Sequence, residues 1–185
     1  MNYPYPNSIS WPETHEGGIR RLRLGEINLA SSLYGSSIRY NLVWIHLESY
    51  LPFDLQNPRQ AMSPNGEMWF RSELYQKDFS LVGVYYQHLF LHEMMHVWQH
   101  QRGMMVRTRG LFSWAADYSY HLDKSSLLDY SLEQQASIVS DYWVLVHHGF
   151  NQSPAIIQYC DYDPSVPEHL LIEQYKKVLG GFPTC

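Results

Sequence analysis

Gln87–Gly103 reads QHLFLHEMMHVWQHQRG, and from about Ser80 to Gln101 the chain has no proline and one glycine, Gly83. That apolar-rich run predicts a single long helix closed by Gly103. His92 and His96 are four residues apart, so on a helix their rings leave one face a turn apart. Two imidazole nitrogens at that spacing reach one Zn²⁺ at about 2.0–2.1 Å. Glu93 stands beside them, placed to take a proton from water at the metal. Leu89, Phe90, Leu91, Val97 and Trp98 bury the rest of the helix, and polar groups in such surroundings need partners. His88 and His100 continue the spacing of four, but each step of four drifts about 40° around the axis. One ion cannot take all four rings, so His88 and His100 are expected to flank the site.

A catalytic zinc site needs a third protein ligand and an open position for water. Gln99 and Arg102 occupy the positions that carry Gly and His in the extended HExxHxxGxxH pattern, so the third ligand must come from further along. The acidic candidates are Asp117, Asp123, Asp129, Glu133 and Asp141, with His121, His147 and His148 as further donors. Ser131–His147 reads as a second helix, with Ser131 as N-cap and Gln134 completing a capping box. Glu133 lies in its first turn, on one face with Ala136, Ser137 and Ser140. Those three residues are small enough to let this helix approach the histidine helix closely. Glu133 is the expected ligand; the competing reading is a first-turn Glu favoured by the helix dipole. Asp141, two turns on, is expected to hold the other N–H of a ligand imidazole. His121, Tyr130 and Tyr142 are the candidates for stabilising a tetrahedral oxyanion. One zinc ion per chain is expected.

Elsewhere the punctuation is clear. Residues 1–18 carry three prolines and two glycines and read as an irregular lead-in, and residues 19–185 read as one domain. Gly25–Leu33 suggests a short helix ended by Gly35, and Ile38–Leu47 a strand. Residues 52–58 read as a loop. Ser63–Gly66 is a turn signature leading into a strand at Glu67–Phe70. Residues 111–129 and 151–167 read as loops, and Glu168–Leu179 as a last helix stopped by Gly180. A short helix, then strands, then helices argue an α+β class, a small sheet packed on the histidine helix and on a second ligand-bearing helix.

Composition narrows the function. The chain has 185 residues with 13 basic and 18 acidic side chains, formal charge −5, and no basic run, which disfavours nucleic acid and anionic membrane. No stretch approaches the ~20 apolar residues of a membrane span. Met1–Trp11 lacks a basic and an apolar region, so no cleavable signal peptide is expected. Tyr (15), Trp (6) and Phe (7) are abundant while charged residues are only 17%, which fits large contact surfaces of mixed polarity. Cys160 and Cys185 lack metal-cluster spacing and are expected as free thiols.

Beyond HExxH followed by a Glu on a later helix, the gluzincin arrangement, longer phrases carry a resemblance. GEINLASSLYG (from Gly25), YLPFDLQ (from Tyr50), AMSPNGEMWF (from Ala61), QHLFLHEMMHVWQHQRG and LEQQASIVSDYW (from Leu132) are similar to zincin-like metallopeptidase domains attached to VgrG-type spike proteins of bacterial type VI secretion, and to Vgr-related proteins. The resemblance covers about residues 20–150. It implies a zincin-like fold and a zinc metallopeptidase with a protein or peptide substrate. It also implies synthesis in the bacterial cytoplasm, a VgrG-type spike carrier, antibacterial action in a neighbour's periplasm, and a cognate immunity protein. It further implies that the strand at Glu67–Phe70 is the edge that pairs with an extended substrate. The contrasting reading is a zincin-like binding module with a structural or non-catalytic metal. Glu93 argues against it, since a structural site has no use for a general base and is closed by a fourth protein ligand.

Overall fold

The computed structural model describes residues 13–104 and 117–184. Its elements run β1 (Gly18–Arg21), α1 (Leu24–Tyr34), β2 (Trp44–Leu47), β3 (Met68–Phe70), α2 (Val84–Gln101), α3 (Leu132–His147) and α4 (Glu168–Leu179). The α+β expectation holds. The sheet has order β1-β2-β3, with β1 antiparallel and β3 parallel to β2. Residues 1–12 of the expected lead-in, residues 111–116 of the expected loop, and Cys185 lie outside the described residues; Cys160 is exposed and free. Among the described residues no helix is long and apolar enough to cross a membrane.

β1 is a strand that the sequence pattern hides. Its first residue, Gly18, pairs with Leu47, and Ile19, its apolar residue, is 51% exposed. The inward residue is instead Arg20, whose guanidinium binds Glu26 through two 2.8 Å contacts. Glu26 is fully buried and also accepts the Arg23 and Phe79 backbone N–H groups at 2.8 and 2.9 Å. One carboxylate thereby ties β1, the start of α1 and the segment entering α2. Glu26→Ala should cost about 3–5 kcal/mol, because it leaves a desolvated guanidinium unpaired. A urea titration reads this; a loss within about 1 kcal/mol would reduce the pair to a surface bridge.

The strand expected over residues 38–47 is only Trp44–Leu47. Tyr40–Leu42 forms a 3₁₀ turn, in which the Tyr40 hydroxyl donates to the Gly35 carbonyl at 2.8 Å. These local bonds win over the β propensity of the aromatics. Similarly α2 begins at Val84, not Ser80. Asp78 accepts from the Ser80 N–H at 3.0 Å and closes a 3₁₀ turn over Phe79–Leu81, and Gly83 caps the helix.

From Phe90 to Gln99 every residue of α2 is buried, so α2 is the central helix rather than an amphipathic surface one. Phe70 on β3 meets Phe79 at 4.7 Å, and Phe79 stacks on Phe90 at 5.3 Å, which seats the sheet on one side of α2. α1 is pinned by the Tyr34 hydroxyl, which donates to the Leu91 carbonyl at 2.7 Å. α3 covers another side, with Ala136, Ser137 and Ser140 all at zero exposure, so the small face does form the close helix contact. The predicted capping box is present: Ser131 Oγ accepts from Gln134 N at 3.2 Å, and Gln134 Oε1 accepts from Ser131 N at 3.4 Å. It fixes the first turn of α3, where Glu133 sits.

Candidate metal centre

Glu133 Oε2 lies 3.3 Å from His92 Nε2 and 3.1 Å from His96 Nε2. One ligand atom from each of the three residues falls within 4.8 Å of the others. Two imidazoles and a carboxylate converge from α2 and α3, and among the described residues no further carboxylate, imidazole or thiol joins the group. This donor set fits zinc with an open fourth position.

The ring of His96 is oriented by a chain of amides. Its Nδ1 is 2.8 Å from Gln99 Oε1. Gln99 Nε2 donates to the Leu132 carbonyl at 3.0 Å and to Gln135 Oε1 at 3.1 Å, and Gln135 Nε2 donates to the Tyr130 carbonyl at 2.9 Å. Backbone carbonyls only accept, so both amides have one allowed orientation. Gln99 Oε1 must therefore accept the His96 Nδ1–H, which leaves Nε2 as the atom for a metal. The sequence offers a weak signal for Gln99, three residues after His96 on the same helix face, and none for the relay beyond it. Gln99→Leu should weaken zinc binding about 10–100-fold. Chelator competition measures this, and unchanged affinity would remove Gln99 from the site.

Charge follows the same geometry. Burial draws the His96 imidazolium down, but Glu133, then Glu93 and Gln99, outweigh it and raise it to about 9. Burial pushes the Glu133 carboxyl up, yet the two imidazoles hold it well below the usual carboxylate range.

Glu93 is 4% exposed and lines the same cavity. Ser63 Oγ donates to Glu93 Oε2 at 2.8 Å. Ser63 reaches it from a segment that pairs antiparallel with β3, Met62 and Trp69 exchanging backbone bonds of 3.1 and 2.8 Å. β3 is thus not the free edge expected from the sequence. Met62 occupies its outer side, and residues 60–63 face the cavity instead. Gly66, at φ 81°, makes the reversal between the two strands; a Cβ there would lie 2.5 Å from the ring of His100. His100 therefore packs under this turn, a flanking role.

The cavity holds about 360 Å³ between residues 57–64, α2, the start of α3, Tyr118 and Gln158. Tyr118 is the aromatic that reaches the site, 5.8 Å from the His92 ring. Burial first, then Glu133 and Glu93, push its phenol up, so it stays a hydrogen-bond donor. None of the three expected oxyanion candidates lines this cavity. His121 is exposed and pairs with Asp161 at 2.8 Å, Tyr130 donates to the His121 carbonyl at 2.9 Å, and Tyr142 packs on Tyr175 with ring centroids 5.8 Å apart. Nor does Asp141 hold a ligand imidazole. It is fully buried and bonds His88 Nε2 at 2.8 Å, the Tyr120 hydroxyl at 2.8 Å and Gln158 N at 2.7 Å. The register explains it. α3 runs antiparallel to α2, so two turns past Glu133 lies opposite His88, one turn before His92.

No protein-family model matches the chain. It is 40% identical over 144 residues to a type VI secretion system spike protein, VgrG2b of Pseudomonas aeruginosa. That match covers 74% of this chain but 14% of the relative, so the chain spans about a seventh of that protein's length. The structure also matches the solved effector domain of P. aeruginosa VgrG2b, with a TM-score of 0.61 at 35% identity, covering 82% of this chain and 88% of that domain.

Proposed function

The chain belongs to the family of the VgrG2b effector domain, and from that membership and the site we propose that it is a zinc-dependent hydrolase of amide bonds in protein or peptidoglycan peptide. The observation that carries the reading is the placing of Glu93, held by Ser63, in one cavity with the convergent His92, His96 and Glu133. Zinc bound by those three side chains would supply a Lewis acid that acidifies water and polarises the scissile carbonyl. Glu93 takes the proton of the attacking water and passes it to the leaving amine. Ser63 fixes the carboxylate in position for both transfers. Tyr118, a protonated phenol lining the cavity beside His92, is the donor we assign to the developing oxyanion. Met62 spends its backbone groups on Trp69, so the alternating residues Ala61 and Ser63 are the ones whose backbone would pair with an extended substrate.

A binding-only module would retain the metal set without turnover, so Glu93-dependent cleavage decides against it. Kinship with a spike protein supports type VI delivery, a VgrG-type carrier, action in the periplasm of a neighbouring cell, and a cognate immunity protein in the producer. The test is growth after expression in cytoplasm or periplasm, for wild type and Glu93→Ala. Toxicity confined to the periplasm and dependent on Glu93 is expected; toxicity that survives Glu93→Ala would overturn the hydrolase reading.

Metal uptake should also be proton-linked. In the metal-free protein His96 stays protonated up to about pH 9. Zinc takes the neutral ring, so binding near pH 7 should release about one proton and tighten about tenfold per pH unit up to that point. Calorimetry in buffers of different ionisation enthalpy reads the proton count, and zero release would contradict the His96 assignment.

A further inference from the structure

The cavity continues past the metal triad to a polar end that the hydrolysis steps do not use. Ser137 stands one turn after Glu133 and one turn before Asp141 on α3. The bonds from Glu133 to His92 and from Asp141 to His88 set the register of the two helices. Ser137 therefore lies between the level of the triad and that of His88. Ser137, His88 and Gln158 all line the cavity. Ser137 has zero exposure, and its hydroxyl makes no hydrogen bond among the described residues. An orphaned buried hydroxyl is costly, and its presence in a cavity wall points to a ligand group that completes it.

His88 supplies the second half. Its Nε2 is committed to Asp141 Oδ1, while Asp141 Oδ2 takes the Tyr120 hydroxyl and the Gln158 N–H. All three partners are donors to a carboxylate, so both Asp141 oxygens are engaged and the His88 ring is held through Nε2. The ring is 9% exposed, and that remaining edge opens on the cavity. Nδ1, which has no hydrogen-bond partner among the described residues, is available to a bound molecule.

We propose that His88 and Ser137 form a recognition subsite for a polar side chain of the substrate, a carboxamide or carboxylate flanking the scissile bond. This rests on the hydrolase reading for its substrate class. One ring nitrogen and one hydroxyl, rigid and without partners, favour a group that can accept or donate over an apolar group of equal size. A carboxamide and a carboxylate share the needed acceptor oxygen; which of them is taken reports whether Nδ1 acts as acceptor or donor.

The test uses capped dipeptides that differ only in Gln, Glu or Leu. They are titrated into the zinc-loaded Glu93→Gln protein, which cannot turn them over, and the His88 ring is followed by NMR. The Gln or the Glu peptide should bind about tenfold or more tighter than the Leu peptide and should shift the His88 resonances. Ser137→Ala, which removes no hydrogen bond made by that hydroxyl among the described residues, should reduce that preference several-fold with unchanged circular dichroism. His88→Asn is the harsher second variant and should abolish it. Equal or tighter binding of the Leu peptide overturns the subsite, as does polar binding that leaves His88 unmoved, or no binding at all. Cleavage by wild type is measured separately, so loss of the subsite is distinguishable from loss of the hydrolase reading.

Discussion

Glu93→Gln should retain zinc and fold while hydrolysis falls by about 10²–10⁴-fold. The substitution is nearly isosteric at a site that is 4% exposed. The amide oxygen can still accept from Ser63 Oγ, now 2.8 Å from the carboxylate, so the segment that carries Ser63 keeps its anchor. What disappears is the ability to take a proton from water and return it to the amine. The variant also buries a neutral group in place of a carboxylate, so its thermal stability should match or exceed wild type. Metal content, melting temperature and turnover of the purified proteins settle the matter together. Wild-type turnover in Glu93→Gln would place the base elsewhere, and loss of zinc would make Glu93 part of the metal set. Ser63→Ala is the milder companion: it keeps the base but frees its orientation, so its loss of rate should be smaller.

The centre of this site was legible because its signals are local. His92, Glu93 and His96 share one helix, and the period of that helix fixes which way their rings leave it. Glu133 is singled out by two local facts, the capping box at Ser131 and the small face of Ala136, Ser137 and Ser140; α3 does pack where these predict and brings Glu133 into a group with His92 and His96. Four α-helices could be outlined from periodicity and punctuation alone. The losses came where long-range pairing decides. β1 carries an arginine as its inward residue, so no apolar alternation marks it; Glu26 and the backbone of β2 make it a strand. Asp141 was placed on the right face but one turn too near the ligands, because an offset between two antiparallel helices cannot be read from either helix alone. Tyr118 sits in an aperiodic aromatic stretch, where nothing separates it from Tyr130 or Tyr142 until the chain is folded.

Glu133→Ala and Asp141→Ala should fail in opposite ways. In the proposed centre Glu133 is one of three metal donors, and its loss leaves two imidazoles, too few for a closed zinc site. Its zinc affinity should fall by more than the about 100-fold expected at most for a residue that only orients a ligand, and activity should go with it. The metal-free variant should still fold, since Ser131 and Gln134 keep the cap of α3. Its stability cost carries a pH signature. Glu133 raises His96 to about 9, so the stabilisation it lends the metal-free protein is complete below the unfolded histidine range near 6.5 and vanishes as pH rises through about 9. Wild type and Glu133→Ala, both without metal, should therefore differ more at pH 6 than at pH 10. Asp141→Ala instead strands the His88 N–H, the Tyr120 hydroxyl and the Gln158 N–H in a buried site. It should cost about 3–5 kcal/mol of stability, while His92, His96 and Glu133, none of which it touches, keep near-normal zinc affinity. A zinc titration and a urea titration of each variant separate the two roles. Retained affinity in Glu133→Ala with loss in Asp141→Ala would move the third ligand from the first turn of α3 to its third.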